Sequence, residues 1–308
     1  MGLAGCCLAW QLSFAGRAFS WHDEVWDGAS SRVAAGMINP VTGKNFNPSW
    51  RLAEFLPEAE AFFRKVGEIT GRQLWFPFPV WRMAGEQEWP KFLEKIAAPE
   101  TQPWVAGVEE SVSGWRGAVV LRGGARVATR DFCEVTRAHF AAQQAEVAGA
   151  ARLVLCEGAA GLIGGRLGHH RCAKGEILSL RAPSWRSDRM VIGAGGWLVP
   201  TGEGTFKAGS TYVWDRLDGT PTKEGREAVE RIARRLGGDD FEVIDHEAGI
   251  RPIVRRSQPV IGPLPDGRVI FNGLGSKGSL YAPGVATRLE RWLTGEAGLD
   301  PELDVGGL

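Results

Sequence analysis

Gly249-Ile250-Arg251-Pro252, then Gln258-Pro259-Val260-Ile261-Gly262-Pro263, then Asn272-Gly273-Leu274-Gly275-Ser276-Lys277-Gly278 decide the reading of this chain. A proline directly after Arg251 restricts the arginine's own backbone, so the guanidinium sits on a segment of set direction. Val269, Ile270 and Phe271 form a short apolar run suited to a buried strand. The glycine-rich turn that follows leads into a helix expected over residues 286–293. Such a turn presents backbone N–H groups, together with Lys277, to an electron-rich ring or a phosphate.

Working outward, the N-terminus carries a second pattern. Met1 is followed by Gly2-Leu3-Ala4-Gly5, with Ala9 and Leu12 continuing a helical face. Gly2 and Gly5 match the second and third glycines of the Gly-x-Gly-x-x-Gly fingerprint, in which a tight turn, a bare backbone and a helix N-terminus receive a pyrophosphate. The fingerprint's first glycine and the strand before it are not in the sequence. A glycine-rich helix start without a ligand is the plainer alternative. Ala18 to His22 reads as a second strand, with Asp23 at its end where a carboxylate takes ribose hydroxyls. From Gly28 to Gly43 the residues are mostly small, as a loop must be where its backbone passes close to a ligand. Leu153 to Gly158 is an apolar strand ending on glycine, and Lys174-Gly175-Glu176-Ile177-Leu178 follows it.

In their order along the chain these segments resemble the D-amino-acid oxidase and glycine oxidase superfamily of FAD enzymes. The resemblance implies a Rossmann-like α/β FAD-binding domain interleaved with an antiparallel or mixed-sheet substrate domain. It places the cofactor against Gly2, Ala4 and Gly5, Asp23 and Glu24, then Ser30, Ser31 and Arg32, then Ala35, Gly36 and Met37. Further on it adds Gly158 and the turn residues Gly273, Gly275, Ser276, Lys277 and Gly278, with Val147 near the adenine. Arg251 is implied as the clamp for a substrate carboxylate. The resembling enzymes begin with the missing strand, so the functional polypeptide is expected to start upstream, with an apolar strand ending in Gly-x before Gly2.

Composition narrows the function classes. The 308 residues hold 36 basic and 36 acidic side chains, so the net charge is zero and no global field favours nucleic acid or an anionic membrane. A small-molecule substrate is the better expectation. Five cysteines, at 6, 7, 133, 156 and 172, lack metal-ligand spacing and read as reduced thiols in a cytoplasmic protein. The apolar stretch from Leu3 to Phe19 is interrupted by Gln11, Ser13, Gly16 and Arg17, too often to span a bilayer. Nothing in the sequence sets the oligomeric state.

Several further elements follow from periodicity. Leu52, Phe55, Leu56, Ala59, Phe62, Phe63 and Val66 have the spacing of an amphipathic helix with a kink expected at Pro57. Trp75 to Met83 reads as extended, and Phe132 to Phe140 as a short helix. Strands are expected over Glu176 to Leu180, Met190 to Pro200 and Thr205 to Trp214. A helix then starts with Thr220 as N-cap and Pro221 in its first turn. The expected division assigns residues 1–50, 125–173 and 246–308 to the FAD-binding domain, and 51–124 and 174–245 to the substrate domain.

For catalysis the candidates are Arg251, Tyr212 and Trp197. A guanidinium matches a carboxylate bidentately; the alternative is a structural ion pair with Asp245 or Glu247. Lys277 and the turn amides suit the negative charge that develops on a reduced ring; the alternative is a solvated surface lysine. Trp197 and Tyr212, placed on the second and third strands of the covering sheet, either shape the pocket or are plain core aromatics. His246 is either a base or a hydrogen-bonded strand residue. His169 and His170 lack companions at ligand spacing, and no metal is expected. Three functions remain. One is an FAD-dependent oxidoreductase of a small amino acid or secondary amine, with oxygen or another acceptor. The second resembles the FAD domain that oxidises a glycine-derived amine on a modified tRNA uridine, and the third is an inactive remnant.

Overall fold

The structure, a computed structural model, describes residues 1–43, 45–144, 152–254 and 258–308. Its largest element is an eight-stranded sheet in the order Glu242–Arg251, Ala173–Arg181, Thr205–Gly209, Gly196–Gly202, Met190–Gly193, Val80–Ala84, Trp115–Leu121, Val105–Val112. Met190–Gly193 runs parallel to Val80–Ala84, and the other neighbours are antiparallel, so the sheet is mixed. Helix Lys223–Gly237 covers part of one face, because Val229 and Ala233 lie one turn apart and bury together against Leu178, Leu198 and Phe206.

A second core gathers helices Leu3–Phe14, Leu52–Thr70 and Gly278–Leu293 around Trp10, Phe55, Phe63 and Tyr281. Gly284 permits the last two helices to touch, since a Cβ there would stand 2.7 Å from the Phe55 ring. Next to them lies a three-stranded sheet of Val260–Pro263, Val269–Asn272 and Val154–Leu155, whose last pair is parallel. Parallel pairing beside packed helices is the Rossmann-like component, and with the mixed sheet it gives the α/β class expected from the sequence. No helix of the described residues is long and apolar enough to cross a membrane. All five cysteines are unpaired; burial pushes Cys6 and Cys7 well above the ordinary thiol range and Cys156 to about 12.

Five local expectations are corrected. Ala18 to His22 is not a strand: Trp21 alone makes a bridge, to Gln144, because among the described residues no strand lies alongside to take its N–H and C=O groups. Met190 to Pro200 is a hairpin, turning at Ala194 and Gly195 with φ of 50° and 75°, the two positive angles of a tight primed turn. The strand from Thr205 stops at Gly209, and of residues 210–222 only Val213 pairs again with the sheet, by an isolated antiparallel bridge to Lys174. The following helix is capped by Thr222 rather than Thr220, with Oγ1 accepting from Gly225 N at 3.0 Å. The last long helix begins at Gly278, directly on the glycine turn. Outside these five, Pro57 lies inside one continuous helix, Leu52–Thr70.

Candidate active site

The N-terminus of helix Leu3–Phe14, the 28–43 loop, the 273–278 turn and the strand ends at Gly175 and Arg251 enclose one cleft of about 2270 Å³. Gly2, Ala4, Gly5, Asp23, Glu24, Ser30, Ser31, Arg32, Ala35, Gly36 and Met37 line it, with Gly158, Gly275, Ser276, Lys277 and Gly278. So do Arg251, Tyr212 and Trp197. Gly273 is buried behind the turn, where its φ of 77° and a Cβ-to-Gln258 carbonyl approach of 3.0 Å explain the glycine. Val147 lies outside the described residues.

The segment from Gly249 to Pro252 has a specific local construction. A Cβ on Gly249 would stand 2.6 Å from Val33 Cγ2, so glycine lets the loop lie flat on the strand. Ile250 N donates to Gly28 O at 2.8 Å, which carries the strand past the loop and delivers Arg251 into the cleft. The carbonyl of Pro252 accepts from Gly275 N at 3.0 Å, joining the arginine's segment to the glycine turn. Asn272 Nδ2 donates to Gly158 O at 2.9 Å and so ties the same turn to the segment after strand Val154–Leu155.

Arg251 is buried, with 9% of its surface exposed. Its Nη1 donates to Lys174 O at 3.2 Å, its Nη2 donates to Ser210 Oγ, and its Cζ lies 3.9 Å from the Tyr212 ring centroid. The ion-pair alternative does not hold. Asp245 accepts from the His246 backbone N–H at 2.8 Å, and Glu247 pairs with Arg130 and, at 3.4 Å, with Lys207. Arg251 therefore has no carboxylate partner among the described residues, and burial pulls it below the ordinary guanidinium value. Lys277 is likewise no solvated surface lysine: it is half-buried, donates to Thr42 Oγ1 at 2.9 Å, and is pulled below the usual lysine range by burial.

Behind Arg251, two nearly inaccessible charges anchor the 210–222 segment. Lys174 Nζ donates to Asp218 Oδ1 at 2.8 Å and to the Thr220 carbonyl. Glu176 accepts from Thr222 N at 2.8 Å and Thr222 Oγ1 at 2.7 Å, and meets His246 Nε2 at 2.8 Å. His246 is outside the cleft lining, which favours its structural reading. Tyr212, expected on a strand from Thr205 to Trp214, stands beyond that strand's observed end at Gly209, half-exposed, with its hydroxyl 2.7 Å from Ser276 Oγ. Trp197 lies over Gly209, where a Cβ would come within 2.7 Å of the ring.

At the helix N-terminus, Leu3 N donates to Ser31 Oγ at 3.0 Å, while the amides of Ala4 and Gly5 have no protein acceptor among the described residues. The Asp23 carboxylate pairs with the Met1 amine and lies 3.7 Å from Arg137. Sequence reading missed Ser210 and Thr42, whose partners Arg251 and Lys277 it did find. A lone hydroxyl has no sequence signal for a contact made across dozens of residues.

The cleft is built from a glycine-started helix, a small-residue loop and a glycine turn, which converge on two cations without carboxylate partners among the described residues. Residues 1–292 match the DAO family, FAD-dependent oxidoreductases, and the chain belongs to that family. FAD is accordingly its cofactor. Glycine oxidase from Pseudomonas aeruginosa is 31% identical over 133 residues, 42% of this chain and 36% of that protein; glycine oxidase from Pseudomonas putida is 29% identical over the same length. The matched stretch thus spans little more than a third of those relatives. Among solved structures, iminodiacetate oxidase from Chelativorans sp. BNC1 superposes with a TM-score of 0.81 at 19% identity, covering 97% of this chain and 95% of that one. Glycine oxidase from Geobacillus kaustophilus gives 0.79 at 19%, covering 99% and 96%. At these identities the likeness concerns the fold.

Proposed function

We propose that the chain oxidises the C–N bond of a small carboxylate-bearing amino acid or secondary amine. The observation that carries this reading is Arg251, a buried guanidinium with no carboxylate partner among the described residues, opening into the same cleft as Lys277 and the amides of Ala4 and Gly5. Similarity to the glycine oxidases of two Pseudomonas species supports it. FAD held by the 28–43 loop, the N-terminus of helix Leu3–Phe14 and the 273–278 turn would supply the two-electron oxidation that converts a neutral amine to the imine. Arg251 would hold the substrate carboxylate through two N–H groups, oriented by Lys174 O and Ser210 and capped by the Tyr212 ring. Lys277, kept from water and close to Thr42, would oppose negative charge on the reduced ring. Uncapped amides of Ala4 and Gly5 suit a pyrophosphate. Residues 1–50, 125–173 and 246–308 would carry the cofactor, and 51–124 and 174–245 would cover it.

Bleaching of flavin absorbance under anaerobic conditions, with glycine, sarcosine, proline and D-amino acids as a panel, tests the reading and identifies the substrate. Arg251→Ala should keep the flavin and raise KM for the oxidised amine by about thirtyfold or more, since a charge-assisted bidentate contact is lost. Loss of flavin with unchanged kinetics would assign Arg251 to structure.

A further inference from the structure

Arg251 begins a row of side chains that continues along the cleft wall. Beyond the Tyr212 ring at 3.9 Å stands Trp214, centroid to centroid 5.8 Å away, and Arg171 Cζ lies 5.6 Å from the Trp214 ring. All four side chains line the cleft. Tyr212 and Trp214 each leave 50% of their surface in water, and Arg171 is exposed with no carboxylate partner among the described residues. Two neighbouring aromatic faces left wet inside a cleft forgo burial that the fold gains elsewhere.

The platform is held in place. Val213, between the two rings, exchanges backbone hydrogen bonds with Lys174 at 2.8 and 3.0 Å, and the Tyr212 hydroxyl is fastened to Ser276. Glycine or sarcosine, if clamped by Arg251, would leave the Trp214 face in water. A planar ring attached to the substrate nitrogen would stack there, and an acidic group on that ring would meet Arg171.

We propose that Tyr212, Trp214 and Arg171 form a subsite for an acidic aromatic substituent on the substrate nitrogen. The substrate class is then an N-arylmethyl amino acid with an anion at each end. This rests on the reading of Arg251 as carboxylate clamp.

Calorimetry on the holoenzyme with two thioether analogues, sulfur replacing the amine, separates the two ideas without turnover. (4-Carboxybenzylthio)acetate should bind about tenfold more tightly than (methylthio)acetate, the scale of one aromatic stack with its cation. That ratio should fall to near one in Trp214→Ala and in Arg171→Gln, the second at an exposed position that folding does not need. A ratio near one in the native chain, or one that persists in both variants, overturns the subsite. Arg251→Ala should weaken both analogues together; two unchanged dissociation constants would instead overturn the clamp.

Discussion

Gly175 and Arg251 are matched at the scale of single residues. A Cβ at 175 would stand 2.2 Å from Arg251 Nη2, so the glycine makes the space that the guanidinium occupies. Gly175→Ala should displace the clamp without touching the cofactor segments, raising KM for the carboxylate amine by about 10- to 100-fold at constant flavin content; an unchanged KM would show that the guanidinium's exact seat is immaterial. Lys277 gives a pH signature. Its folded pKa lies below the ordinary 10.5 through burial, so the folded apoprotein binds that proton less readily than the unfolded chain. The penalty is complete below the lowered value and is relieved as pH rises toward 10.5. Lys277→Met should therefore be more stable than the native apoprotein at neutral pH, with the gap in urea midpoint closing toward pH 10.5. A gap that stays constant across that window would remove desolvation as the cause. The segment Lys174-Gly175-Glu176 was legible as a unit in the sequence. That its three residues supply a carbonyl, a space and an anchor was not, because the partners sit on other strands and on the 210–222 segment.

At the scale of elements, Thr222 joins a helix cap to the buried charge on strand Ala173–Arg181. Its Oγ1 accepts from Gly225 N and donates to Glu176 Oε1. Thr222→Ala removes the cap and one partner of a buried carboxylate, and should cost about 1–3 kcal/mol in urea denaturation. Thr222→Ser should restore most of it, and equal losses in both would put the effect in methyl packing. Periodicity found the helices Leu52–Thr70, Thr129–His139 and Lys223–Gly237, since each has an apolar face. It chose the wrong threonine for the cap because Thr220 and Thr222 are equal as local signals. What separates them is that Lys174 takes the Thr220 carbonyl while Glu176 takes Thr222. The Met190–Pro200 error has another source: an apolar run hides its own turn, and only the Gly195-Gly196 pair marks it.

At the scale of the whole molecule, the cleft is assembled from segments near both ends of the chain and from its middle, so a ligand that bridges them should stabilise all at once. FAD at about 100 times its Kd contributes roughly 2.7 kcal/mol, which for a chain of this size raises Tm by about 4 °C. A melting curve with and without FAD measures it; no shift at saturating FAD would mean that the cleft does not take the cofactor as an intact unit.

The family, the α/β class and the glycine-rich segments of the cleft are legible in the sequence, because cofactor approach demands glycines and small residues in a fixed order, and that demand is written locally. Tertiary structure decided what surrounds the two cations. Whether Arg251 is a clamp or half of an ion pair depends on where Asp245 and Glu247 point, and Glu247 is taken by Arg130 and Lys207. Trp214 and Arg171 carry no sequence signal at all. They face one another only because Val213 is bonded to Lys174, and a contact between distant segments is a property of the packed chain rather than of either segment.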